Sequence, residues 1–157
     1  MRSALRGSIV TALLAACAAP DAPPRQAASV TREQFRQPEW ITGTWRGSGG
    51  DYPAFFEQYE LINDSTLRMR SFADSALGTV TDSSMITWHD GIIESWSPRS
   101  TYVAIALAPD SIRFIRRGQA RGGHTFTRVS ADEWTATLHP AEPGREPVVY
   151  TMRRIRP

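Results

Sequence analysis

Three histidines, sixteen carboxylates, one cysteine and a glycine-rich stretch are the side chains and backbone of this 157-residue sequence that offer chemistry. His89, His124 and His139 show no i, i+2 or i, i+4 pairing of the kind that presents two metal ligands from one element. His89 lies in the turn-like "WHDG", His124 opens "GHTFTRV" and His139 closes "TATLHP". A zinc site would have to recruit carboxylates from remote segments, so no metal site is expected. Nucleophilic catalysis also lacks its parts: there is no Gly-x-Ser-x-Gly elbow, and the serines between Ser71 and Met85 alternate with Asp and Thr as a solvated strand would. Glu57 and Glu94 each share an alternating face with aromatic residues, and as a pair they would suit general acid–base work only if the fold joined them. An ion pair between Glu57 and an interior arginine such as Arg128 is the simpler expectation. The stretch "GTWRGSGGDYP", Gly43 to Pro53, has no Gly-Lys-Ser/Thr, no G-x-G-x-x-G spacing and no following helix, so it does not read as a phosphate loop. No catalytic residue is assigned.

The cysteine is explained by its position. Arg2 and Arg6 precede an apolar run from Ile9 to Ala16, which is too short for a permanent span and reads as a secretory leader. Leu14-Ala15-Ala16-Cys17 resembles the lipobox of bacterial lipoproteins. That resemblance implies a signal peptide over residues 1–16, cleavage before Cys17 and lipid on its thiol. Ala18, where an Asp would retain the protein at the inner membrane, implies by the same resemblance the outer membrane, facing the periplasm. With no second cysteine there is no internal disulfide. Residues 17–31 are rich in Ala and Pro without apolar periodicity and read as a tether. Without the leader, sixteen basic residues face sixteen acidic ones, a balance that argues against a nucleic-acid partner. Every basic residue is arginine.

The remaining residues, 32–157, suffice for one domain with a core. Turn signals at "NDS" (Asn63–Ser65), "HDG" (His89–Gly91), "APDS" (Ala108–Ser111), "SADE" (Ser130–Glu133) and "EPGREP" (Glu142–Pro147) separate short runs of β-branched and aromatic residues. Together with the stretch around Trp45 they make about ten strands, and only Thr31 to Ile41 could hold a short helix, curtailed by Pro38. Sequential hairpins favour an up-and-down meander, and closure would remove its two edges. The expected fold is all-β: an antiparallel barrel of about eight to ten strands. Period-two reading puts Phe55, Glu57, Tyr59 and Leu61 on one face, Leu67, Met69 and Ser71 on another, and Trp134, Ala136 and Leu138 on a third.

Gly43-Thr44-Trp45 is similar to the Gly-x-Trp of lipocalin-type barrels, and "GTWRGSGGDYP" resembles the opening of nitrobindin-like haem barrels and of lipocalin-like domains in bacterial secreted proteins. The resemblance implies a structural role for Gly43 and Trp45, with Trp45 at the closed end of the barrel against an arginine from "MRRIR". It also implies that His124 or His139 could be an axial haem ligand. Otherwise no cofactor is expected. The expected ligand is a small hydrophobic molecule, held among Tyr59, Trp96, Tyr102, Phe114, Phe126 and Tyr150 with Glu57 as a polar handle. Two alternatives stay open: a haem-binding enzyme or sensor, and an interaction module whose barrel is filled by its own side chains.

Overall fold

A computed structural model describes residues 29–156; the expected leader, Cys17 and most of the expected tether lie outside them. The ten expected strands form: β1 (Gly43–Gly49), β2 (Tyr52–Asn63), β3 (Thr66–Phe72), β4 (Val80–His89), β5 (Ile92–Ser97), β6 (Ser100–Ala108), β7 (Ser111–Arg116), β8 (Gly123–Arg128), β9 (Glu133–His139) and β10 (Val148–Ile155). Each is antiparallel to its neighbours in sequence, and β1 pairs with β10, Thr44 opposite Ile155, so the meander closes into a barrel with no free edge. The turn signals act as their chemistry requires. Asp90 and Gly91 both take positive φ, 49° and 80°, as a two-residue hairpin turn of the primed type needs. Asn63 Oδ1 accepts from the Ser65 amide at 2.9 Å and so folds the β2–β3 turn back on itself.

One end of the barrel is plugged by the segment before β1. Thr31 caps a single helical turn, α1 (Arg32–Phe35): its hydroxyl accepts from the Gln34 amide at 3.2 Å, and the Gln34 side chain accepts from the Thr31 amide at 2.8 Å. Pro38 then sits in the first turn of a 3-10 helix (Gln37–Ile41), where its missing N–H costs nothing. These turns press Val30, Phe35 and Ile41 into the barrel end, all buried. Val30 is pinned from both sides, donating to the Gly91 carbonyl at 2.9 Å and accepting from Trp88 Nε1 at 2.7 Å. Beneath the plug Leu61, Leu67, Ile86 and Ile112 leave a void of only about 20 Å³, so this half of the barrel is filled by its own side chains.

The opening motif owes its residues to this closed end. Trp45 is 1% exposed and donates from Nε1 to the Ile41 carbonyl at 2.7 Å. Gly43 has φ +119°, and a Cβ there would lie 2.2 Å from Arg154 Nη1, so no other residue leaves room for that guanidinium. At Gly47 the ring of Phe55 occupies the place a Cβ would take, at 2.2 Å. Gly-x-Trp-x-Gly is thus two clearances flanking a buried indole.

Candidate functional site

Strand directions alternate, so the plugged end gathers one set of turns and the other end gathers the loops after β1, β3, β5, β7 and β9. Between that second end and the barrel's middle lies a cavity of about 320 Å³, within the range of small-molecule sites. Leu138 lines it and is 41% exposed, which marks the mouth. The barrel is therefore filled over one half and hollow over the other.

Trp134 makes the floor. It is 1% exposed, and four rings meet it edge-on or nearly so: Phe126 at 5.1 Å, Tyr59 at 5.7 Å, Trp45 at 5.9 Å and Trp40 at 6.2 Å between centroids. Its Nε1 is buried with no hydrogen-bond partner among the described residues. The wall above carries Phe55, Tyr102, Phe126 and Tyr150, and Phe55 meets Tyr150 edge to face at 5.4 Å.

Glu57 and His124 face this space from opposite walls, and Asp82 joins them at its rim. Glu57, on β2, accepts from the Tyr59 hydroxyl at 2.9 Å and lies 3.5 Å from Ser71 Oγ. Register places Glu57 opposite Ser71 and Ser71 opposite Asp82, so two carboxylates flank one serine across three strands. Burial pushes the Glu57 carboxyl above its usual range, the hydrogen bonds from Tyr59 and Ser71 pull it down, and Asp82 adds to the rise. Burial, then the charge and hydrogen bond of Glu57, hold the Tyr59 phenol well above its usual range. On β8, His124 is packed by Phe114 at 4.8 Å, stacked, and by Tyr102 and Phe126 at 4.9 Å each. Burial, Arg113 and His139, in that order, lower its pKa to about 4, so His124 is a neutral imidazole at physiological pH.

Of the expected wall residues, Tyr59, Tyr102, Phe126 and Tyr150 line the cavity with Glu57. Phe114 is fully buried behind His124 and serves as its backing. Trp96 is a correction: it is 51% exposed and points outward, while Ser95 and Ser97 beside it face the cavity. β5 carries apolar residues on both faces, and Ile93, 1% exposed, takes the core position the strand offers. Glu94 shares the outer face of Trp96, where it meets His89 Nε2 at 3.2 Å and contacts Arg117, so Glu57 and Glu94 stand on opposite sides of the wall. Arg128 pairs with no carboxylate among the described residues; it is exposed and donates to the Ser130 carbonyl at 3.3 Å. His139 has the same parity as the outward residues of β9 and hydrogen-bonds Thr125 Oγ1 at 2.9 Å, which leaves His124 as the interior histidine. Trp134 and Phe55 were not among the expected site residues, although period two had put Phe55 on the same face as Glu57 and Tyr59, and Trp134 on the same face as Ala136.

The donor set does not suit haem. Phe114, Tyr102 and Phe126 crowd the His124 ring, each with its centroid within 4.9 Å, and the charged groups on the cavity wall are Glu57 and Asp82, which would repel the haem propionates. No group of three potential metal ligands occurs among the described residues.

No family model matches the chain, and no curated protein matches it. Among solved structures, a redesigned β-barrel is similar over 77% of this chain and 96% of its own, at 13% identity and a TM-score of 0.38. Those values are too low to bear on function.

Proposed function

We propose that this barrel is a binding protein for a small, largely apolar molecule, taken up through the open end and seated on Trp134. The observation that carries this reading is the cavity of about 320 Å³ with an aromatic floor and wall, its polar groups being two carboxylates, one imidazole and a set of hydroxyls. The leader and the Leu14-Ala15-Ala16-Cys17 sequence support an envelope setting, with lipid on Cys17 holding the domain to a membrane.

Native mass spectrometry compared with the denatured mass tests the first part. A small-molecule adduct that disappears on denaturation is expected, and it should be lost in Ala136→Phe, which fills the cavity from β9 while circular dichroism reports the barrel intact. A native mass without adduct, together with no uptake of an environment-sensitive apolar dye, would refute it. Incorporation of labelled palmitate that is abolished in Cys17→Ala tests the anchor.

A further inference from the structure

We propose that the molecule bound in this cavity is an amphipathic amine, an apolar body bearing one cationic nitrogen, and that Glu57 is its counter-ion. The inference rests on the ligand-binding reading above and assigns the ligand's chemical class.

The chain has eighteen basic residues, all arginine, yet no arginine among the described residues lines the cavity. The arginines of β3, Arg68 and Arg70, point outward, where Arg68 pairs with Glu60 at 2.6 Å. Arg113, on the outer face of β7, is spent on the carbonyls of Phe114 and Gly122, both at 2.8 Å. Inside, the groups that can carry charge are Glu57, Asp82 and His124, and the histidine is neutral. Glu57 therefore faces a largely aromatic cavity where its own partners are hydroxyl donors alone, one of them at 3.5 Å, and where a second carboxylate lies two strands away. A carboxylate drawn partly out of water, as half-buried Glu57 is, is ordinarily matched by a cation, because isolated charge is costly there. Here the protein supplies the anion and leaves room beside it, so the missing partner belongs to the ligand. The rings of Tyr102, Phe126 and Tyr150 add faces that attract an ammonium group while accepting an apolar body. A carboxylate-bearing ligand of the same size would meet two like charges and no donor cation.

Three probes of one shape separate the possibilities: 4-phenylbutylamine, 4-phenylbutanol and 4-phenylbutyrate, titrated calorimetrically into the full chain at pH 7.5. The amine is expected to bind at least about tenfold more tightly than the alcohol, as one charge-assisted hydrogen bond allows, and the carboxylate more weakly than either. Glu57→Gln should erase the advantage of the amine and leave the alcohol within about twofold. Asp82→Asn, at the exposed rim, should reduce it by a smaller factor and serves where Glu57→Gln fails to fold. Alcohol binding as tight as the amine, or an amine preference that survives both substitutions, would overturn the assignment while leaving ligand binding intact. Failure of all three probes, with no uptake of a neutral apolar dye, would overturn the ligand-binding reading and this assignment with it.

Discussion

The guanidinium of Arg154 lies 4.1 Å above the ring of Trp45 and, from the same position, donates to the Thr42 carbonyl at 2.9 Å and to the Trp40 carbonyl at 3.3 Å. One side chain of the last strand thus fastens the plug to the first strand, across the seam where the barrel closes. Arg154→Ala is expected to lower unfolding stability by roughly 2 kcal/mol, through lost charge-assisted hydrogen bonds and cation–π attraction. Arg154→Lys keeps the charge but loses the planar fork, and should recover about half of that loss or less. Gly43→Ala should behave like Arg154→Ala and add little to it in the double variant, since both remove the same contact. Urea unfolding of the four variants decides it, and simple additivity of Gly43→Ala and Arg154→Ala would contradict the shared contact.

Trp134 joins the filled half of the barrel to the hollow half. Trp134→Ala is expected to cost about 3–5 kcal/mol, the range for truncating a buried aromatic, and to join the cavity to the space beneath it. Trp134→Phe should cost clearly less. Chemical denaturation gives the first quantity, and the stoichiometry of dye uptake reports the enlarged cavity.

The interior histidine gives a pH signature. His124 titrates near pH 4 when folded and near its ordinary value when unfolded, so between those values the unfolded chain binds more protons. By linkage its contribution to stability is complete above about pH 6.5 and is lost as the pH falls toward 4. Glu57 acts in the opposite sense: its raised carboxyl keeps a proton in the folded state that the unfolded chain has released, so it lowers stability as the pH rises through the acid range. His124→Phe should flatten the acid-side loss between pH 6.5 and 4, while Glu57→Gln should steepen the net rise of stability with pH. Thermal unfolding measured every half unit of pH checks both signs.

Trp96 separates the observed wall from the expected one. Being 51% exposed on the outer face, it should tolerate Trp96→Ala with a change within about 0.5 kcal/mol and no effect on ligand uptake. A large loss of binding in this variant would mean that the ligand lies outside the barrel.

The strands were legible because their punctuation is local: Asn63, Asp90 and Gly91 fold their turns with their own side chains or backbone angles, and nothing remote is needed. The inward faces of β3 and β9 were legible for a related reason, since each strand has one more apolar parity, whereas the inward face of β2 is mixed, with Glu57 between Phe55 and Tyr59. β5 failed this test, as both its parities carry large apolar residues, and the aromatic one turned out to be the outer. The site itself depends on what the strands do to one another. Trp134 becomes a floor because the pairing of β9 with β10 sets it opposite Met152, itself opposite Gly47 of β1, which brings its ring against that of Trp45. Phe55 covers Gly47 through the β1–β2 register, and Glu57 finds Tyr59 two residues along its own strand instead of a distant arginine. Such relationships are fixed by register and barrel shear, which no short window of sequence contains.

Val30 enters the barrel at the plugged end, held by Gly91 and Trp88, while the mouth lies at the opposite pole. A mechanical load arriving through the chain ahead of residue 29 would consequently be borne by the Val30–Gly91 bond, the Trp88 indole and the plug behind them. The strands around the mouth lie outside that line of force. Such a load would strain the closed pole first and leave the entrance undistorted.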